Sequence, residues 1–178
     1  MFIVSFATPK YEIECYKLLD DLRSWKIPHE IHFIEGKGSW LKSVLHKAIF
    51  IKEMMLKHNR PIVWLDADTE IKQYPQLFEE ITEDFAVNYF EPTIACGGVL
   101  FFNTTSKGIK LLDAWITEIY NNPGDNDQVN LYKAIQKNPD VSIKQLPREY
   151  CTFDLCKDQS NPVLWSRQAS RRLKDIKE

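Results

Sequence analysis

One stretch of sequence indicates both the fold and the site, and it reads Pro61-Ile-Val-Trp-Leu-Asp66-Ala-Asp68-Thr69. Residues 62–65 are all apolar, which predicts a short buried strand, and Pro61 is tolerated at its start. Asp66 and Asp68 follow at i and i+2, so continued strand periodicity places both carboxylates on the same side of the chain. We therefore expect two neighbouring acids at the carboxyl edge of a sheet.

Two carboxylates this close repel each other unless a cation lies between them or one is protonated. Oxygen ligands favour Mg²⁺ or Mn²⁺, so we interpret Asp66 and Asp68 as metal ligands. An ion held by only two acids keeps open positions for the oxygens of a diphosphate. It would neutralise the negative charge that develops when a nucleoside diphosphate leaves. The alternative is a turn, because Asp often ends a strand and hydrogen-bonds its own backbone.

Outward from this segment, the patterns of apolar residues alternate between strand and helix. They predict, in order, strand 2–7, helix 11–25, strand 30–35, helix 40–57, strand 62–65, a short helix 76–81, strands 85–89 and 98–103, helices 110–120 and 126–136, and an edge strand 141–146. This alternation predicts the α/β class, a sandwich of helices around a mixed, mostly parallel sheet. Ligands of such sheets bind outside the carboxyl ends of the strands, where the two acids are expected.

The composition is typical of a soluble globular protein. The 178 residues are 44% apolar and 27% charged, with a formal net charge of −2, and the length suits a single domain, 1–178, whose tail from about 162 shows no clear pattern. The near-neutral balance gives no general attraction to nucleic acid or anionic membrane. No apolar stretch has the length of an integral membrane segment.

The cysteines indicate the compartment. None of Cys15, Cys96, Cys151 and Cys156 forms a C-x-x-C pair, and the apolar N-terminal run is too short for a signal peptide. We expect free, buried thiols and a cytoplasmic location.

Three further features carry possible chemistry. Lys47 lies roughly 60° from the centre of the apolar stripe of its helix, so it either extends its ammonium to solvent or meets an anion such as a phosphate or Asp66. Gly97 and Gly98 precede an apolar run, where glycine allows close approach of a ligand or forms a bulge or turn. Asp127 and Gln128 open a helix, where an acid also acts as a capping residue.

Together these motifs resemble the nucleotide-sugar glycosyltransferases of the GT-A fold, in particular the family of glycogenin and the bacterial lipopolysaccharide galactosyltransferases. The pieces that carry the resemblance, in order, are Ser5-Phe-Ala7-Thr8 with Tyr11, Trp40 with Lys47-Ala-Ile-Phe-Ile51, Trp64-Leu-Asp66-Ala-Asp68, Cys96-Gly97-Gly98-Val-Leu-Phe-Phe-Asn103 and Asp127-Gln128-Val-Asn130. The resemblance implies a three-layer sandwich. The residues to which it assigns roles are Ser5, Ala7, Thr8, Tyr11, Lys47, Asp66, Gly97 and Gly98 for the donor, Asp66 and Asp68 for Mn²⁺ or Mg²⁺, and Asp127 and Gln128 for catalysis.

The implied reaction moves a hexose from a nucleotide diphosphate sugar, most simply UDP-linked, to a hydroxyl of a carbohydrate or other acceptor. Related families mostly retain the anomeric configuration. Gln128 would lie beneath the donor sugar and Asp127 would bind hydroxyls. Because a neutral amide is a poor nucleophile, front-face attack with the leaving phosphate as base is an alternative to a covalent intermediate. Tyr150 and Phe153 are expected either in an acceptor cleft or in the core.

The sequence departs from this family in one place. A third metal ligand, often His, is usual near the C-terminus, but residues 163–172 contain neither His nor an acid. Ser166, Gln168 or water would complete the shell, or Arg167 or Arg171 would bind the diphosphate directly. Two alternatives stay open: a metal-dependent phosphohydrolase or nucleotidyltransferase using the same acids, and an inactive module that binds a nucleotide sugar.

Overall fold

The computed structural model describes residues 1–91, 94–153 and 161–173. Its strands are β1 (Ile3–Ala7), β2 (His29–Phe33), β3 (Ile62–Leu65), β4 (Thr69–Ile71), β5 (Phe85–Glu91), β6 (Ile94–Phe102), β7 (Ile143–Gln145), β8 (Thr152–Phe153) and β9 (Leu164–Ser166). Its α-helices are α1 (Glu12–Ser24), α2 (Trp40–His58), α3 (Ser106–Asn121), α4 (Asp127–Gln136) and α5 (Ala169–Arg172). Three short 3-10 helices span Pro9–Tyr11, Gln76–Glu79 and Arg148–Tyr150.

Six strands form the central sheet in the order β2-β1-β3-β6-β5-β7. β1 is parallel to β2 and β3, and β5 is parallel to β7, whereas β6 runs antiparallel to β3 and β5. The predicted α/β class and mostly parallel mixed sheet are confirmed, with β7 at the expected edge. Because β2 and β3 flank β1 on opposite sides, β1 lies at the point where the strand order reverses, which is where ligands bind in open α/β sheets.

Alternate residues of the strands enter two separate apolar clusters. Val4 and Trp64 belong to a cluster with α2, α3 and α4, whereas Ile3 and Val63 belong to one with α1. A strand that buries both faces reads as a continuous apolar run, which is why residues 62–65 carry no polar side chain.

A second, three-stranded sheet in the order β4-β9-β8 was not predicted. Its strands are only two or three residues long, too short to show a period in the sequence. Two other predictions were wrong in detail. The helix expected at 76–81 is the 3-10 helix Gln76–Glu79, and Gly97 and Gly98 lie inside β6 instead of before it.

The expectation of free thiols was wrong for two cysteines. Cys96 and Cys151 form a disulfide, while Cys15 is free and buried; Cys156 lies outside the described residues. The bond joins β6 to the segment before β8, a contact between positions 55 residues apart that spacing alone does not reveal. Across residues 1–91, 94–153 and 161–173, no helix combines the length and hydrophobicity needed to span a membrane.

Candidate active site

The two acids of the decisive segment lie at the carboxyl end of β3, as predicted. The Asp66 backbone N–H donates to the carbonyl oxygen of Gly98 at 2.9 Å. The pairing of β3 with β6 therefore brings a glycine beside the carboxylate that follows β3. A Cβ at Gly98 would lie 3.2 Å from Asp66 Oδ2, a distance that leaves little room for a side chain. The glycine therefore keeps this face of Asp66 open.

Lys47 joins the site through a buried cluster of charges. Its ammonium lies 2.7 Å from Asp127 Oδ2, 3.0 Å from Asp66 Oδ1 and 2.9 Å from the carbonyl oxygen of Gly97. Burial lowers the pKa of Lys47, but the charges of Asp127 and Asp66 more than offset this, so its pKa is raised above the ordinary value. Lys47 thus stays protonated and fixes both carboxylates; of the two interpretations, snorkelling to solvent is wrong.

The first turn of α4 packs directly against β6. Asn126 caps the helix by accepting from Val129 N–H at 2.9 Å, so Asp127 is not the capping residue. The Asp127 side chain instead turns inward toward Lys47. A Cβ at Gly97 would lie 2.8 Å from Asp127 Oδ2, so any other residue would displace the carboxylate that Lys47 holds.

Asp68 is buried and meets the C-terminal segment. Its Oδ2 accepts from the backbone N–H of Ala169 at 2.7 Å, and its carbonyl oxygen accepts from Arg167 N–H at 3.1 Å. Burial, and to a lesser degree the charge of Asp66, raises the pKa of Asp68 to about 6. The neighbouring protein groups thus compensate the negative charge of the Asp68 carboxylate only in part.

A first cavity, of about 230 Å³, lies over this edge of the sheet. Its lining includes most residues expected to bind the donor, hold the metal or carry catalysis: Ala7, Thr8, Tyr11, Lys47, Asp66, Asp68, Gly97, Asp127 and Gln128. Thr8 is 3% exposed, and its hydroxyl has no hydrogen-bond partner within the described ranges. Because a buried polar group left unpaired is costly, this hydroxyl is suited to a ligand.

Two expected donor residues lie elsewhere. Ser5 is fully buried, and its hydroxyl donates to the carbonyl oxygen of Leu65 at 2.6 Å, so it links β1 to β3 without lining the cavity. Gly98 lines a second cavity, which the acid pair lines as well. Ser43 and Ser170 line the first cavity and were missed; Ser43 precedes Lys47 by one helical turn, a spacing that could have identified it.

The second cavity has a volume of about 380 Å³ and shares Asp66, Asp68, Gln128 and Ser170 with the first. Ser166, Gln168 and Arg171 line it as well. Arg167 does not, because its guanidinium pairs with Glu14 at 2.8 Å. Of the two arginines considered for a diphosphate, Arg171 is the one that faces a cavity.

The charges at this edge fit a divalent cation. Asp66, Asp68 and Asp127 with Lys47 carry three negative charges and one positive charge, leaving two negative charges in the lining of the first cavity. Within the described ranges, no three His, Cys, Asp or Glu side chains come together as a metal-binding group. Asp66 and Asp68 would therefore be the acidic ligands of any ion, with oxygens from elsewhere completing the shell.

Comparison with solved structures identifies a similar fold. The chain superimposes with a TM-score of 0.74 on a glycosyltransferase involved in the glycosylation of the major capsid of PBCV-1, over 97% of this chain and 96% of that one. Sequence identity is 12%, so the likeness is one of fold. No protein-family model and no curated protein sequence matches the chain significantly.

Proposed function

We propose that the protein is a glycosyltransferase with the three-layer GT-A architecture, and that it transfers a hexose from a nucleotide diphosphate sugar to an acceptor hydroxyl. The observation that carries the proposal is the acid pair at the carboxyl edge of the sheet, where it lines two cavities. A donor and an acceptor must meet at one carbon, and two cavities that share Asp66, Asp68 and Gln128 provide this arrangement. The fold shared with a known glycosyltransferase supports it.

The first cavity would hold the donor. Its β1 end, with Thr8 and Tyr11, is suited to the nucleoside, and the buried Thr8 hydroxyl offers it a hydrogen bond. The Lys47 cluster and Gln128 would surround the sugar. Asp66 and Asp68 would hold Mn²⁺ or Mg²⁺, which supplies neutralisation of the charge on the departing diphosphate.

Transfer then forms a bond between the acceptor oxygen and the anomeric carbon and breaks the bond from that carbon to the phosphate oxygen. The proton of the acceptor hydroxyl passes to the leaving diphosphate. Gln128 is neutral and a poor nucleophile, so we assign it the positioning of the sugar ring. The acceptor oxygen attacks the face of the sugar from which the phosphate leaves, and this retains the anomeric configuration. Lys47 stays protonated throughout and holds Asp127 and Asp66 in place.

Binding of UDP in the presence of Mn²⁺ tests the proposal. We expect UDP to raise the melting temperature only when Mn²⁺ is present, by about 5–10 °C at a concentration of about 100 times Kd. Asp68→Asn keeps an acceptor for Ala169 N–H but removes the charge, and we expect it to abolish the metal-dependent shift. Asp113→Asn, which removes a half-exposed partner of Lys52, is the matched control and should behave like the wild type.

Turnover separates the alternatives. Release of UDP from UDP-glucose or UDP-galactose supports the transferase, whereas metal-dependent binding without release supports the inactive module. Phosphate release from simple phosphoesters would favour the phosphohydrolase. An Asp68→Asn variant with an unchanged metal-dependent shift would refute the assignment of the acid pair.

A further inference from the structure

The second cavity differs in character from the first. Phe90 and Phe153 line it, with ring centroids 5.0 Å apart and ring planes at 84°. Phe90 is 38% exposed, so its ring is accessible to a ligand in this cavity. The remaining lining is largely polar and includes Thr152, Ser166 and Gln168.

This combination matches the surface of a pyranose ring. A sugar presents C–H groups on a face and hydroxyls around its edge, so it needs an apolar platform bordered by hydrogen-bonding groups. Binding sites in general combine an apolar wall with a few polar groups that fix orientation. Two perpendicular aromatic rings provide such a wall, and the serine, threonine and glutamine side chains provide the border.

Two contacts of neighbouring lining residues hold the wall in place. The disulfide between Cys96 and Cys151 joins β6 to the segment that carries Phe153. Tyr150 is buried and packs edge to face on Phe78, with the ring centroids 5.2 Å apart. Its hydroxyl accepts a hydrogen bond from Leu77 N–H at 3.1 Å. Both aromatic residues considered for an acceptor cleft, Tyr150 and Phe153, line this cavity, and Tyr150 is also anchored in an apolar cluster of the core.

We propose that the second cavity binds the acceptor, and that the acceptor is a carbohydrate whose terminal pyranose stacks on Phe90. This inference rests on the proposed function, because the shared residues Asp66 and Gln128 then place the acceptor hydroxyl next to the donor sugar. A protein side chain as acceptor would not need an aromatic platform of this kind. Phe90 is a binding residue and takes no part in the bond changes.

The test is a nitrogen-15 NMR titration of the full chain saturated with UDP and Mg²⁺. Methyl pyranosides of glucose, galactose, mannose, xylose, fucose and rhamnose serve as probes. We expect at least one of them to shift the backbone amide signals of Gly98, Thr152 and Phe153. Phe90→Ala should raise the Kd of that pyranoside at least fivefold, and Phe90→Trp should restore binding. Phe33→Ala, which removes an exposed phenylalanine ring elsewhere, should have no effect.

The outcomes are distinguishable. If UDP itself shifts no signals near Thr8 and Asp66, the proposed function fails and this inference fails with it. If UDP binds but no pyranoside shifts the signals of the second cavity, or if Phe90→Ala leaves the Kd unchanged, the carbohydrate assignment is overturned while the donor site stands. The UDP-dependent melting shift of Phe90→Ala verifies that the variant is folded.

Discussion

The edge of the site is built from two regions that are held by different forces. The central region, made of β1, α2, β3 and β6, is fixed by buried apolar strands and a helix. The C-terminal region, residues 148–153 and 161–173, places Tyr150 and Leu164 in an apolar cluster, but its strands are short and it is also tied down by polar and covalent contacts, such as the disulfide and the pairing of Glu14 with Arg167. The difference teaches that one half of the site follows from local sequence, whereas the other half depends on contacts between distant residues.

The largest effect is expected inside the central region, at Lys47. Lys47→Met leaves the buried Asp127 without its cation, and we expect a loss of roughly 3–5 kcal/mol in the free energy of unfolding. Lys52→Met on the same helix breaks a half-exposed pair with Asp113 and should cost about 1 kcal/mol or less. Urea denaturation of both variants measures the contrast, and equal losses would show that the Lys47 cluster contributes no more than a surface pair.

The next effect concerns the covalent contact of the C-terminal region. Opening the Cys96–Cys151 bond frees a long loop, so Cys151→Ser should lower the free energy of unfolding by about 2–4 kcal/mol. Thermal denaturation with and without a dithiol reductant checks this. The reductant should destabilise the wild type but leave Cys151→Ser unchanged, and a wild type insensitive to it would contradict the prediction.

A smaller effect is expected where the two regions meet, at Asp68. Asp68→Ala removes the acceptor of Ala169 N–H, whereas Asp68→Asn keeps one. We therefore expect Asp68→Ala to be less stable than Asp68→Asn by about 1–3 kcal/mol in metal-free buffer. Identical unfolding curves for the two variants would mean that the C-terminal region does not depend on this contact.

The smallest effect is a pH dependence on β2, where Glu30 contacts the end of α2 in the central region. Glu30 accepts from Lys57, His32 and His58; the hydrogen bond from Lys57 is the main reason that the pKa of Glu30 is lowered to about 2. A lowered acid pKa stabilises the fold above the ordinary value near 4.5, and this contribution is lost as the pH falls toward 2. Glu30→Gln should be less stable than the wild type at pH 7, by about 1 kcal/mol or less, and the gap should close by pH 2. If the difference in stability between Glu30→Gln and the wild type persists at pH 2, the loss comes from packing and not from the charge of Glu30.

The sequence predicted the central region because its signals are local. Residues 62–65 form an apolar run, the acids follow at strand spacing, and the helix periodicity placed Lys47 near the buried face. The C-terminal region could not be predicted in the same way, since strands of two or three residues have no detectable period. Its role depends on pairs such as Ala169 with Asp68, and no spacing rule links residues so far apart.

Within the site, residues that are unusual in their sequence context were easier to identify than residues that are common in theirs. Two glycines before an apolar run and a lysine near an apolar stripe are distinctive, and for each a close contact was one of two interpretations. Phe90 gave no such signal, because an exposed phenylalanine cannot be told from a buried one by sequence. Ser5 shows the reverse case, in which a motif position serves the sheet instead of the cavity.

The reversed direction of β6 has a consequence for how proteins of this shape can vary. The chain leaves the site at Asp68 and returns to it at Gly97, and the approach of the two ends is set by the hydrogen bond between Asp66 N–H and the Gly98 carbonyl. The number of residues between Asp68 and Gly97 does not affect this hydrogen bond. Lengthening this segment at an exposed position such as Glu80 would enlarge the protein on one side while leaving the spacing of the charged cluster unchanged.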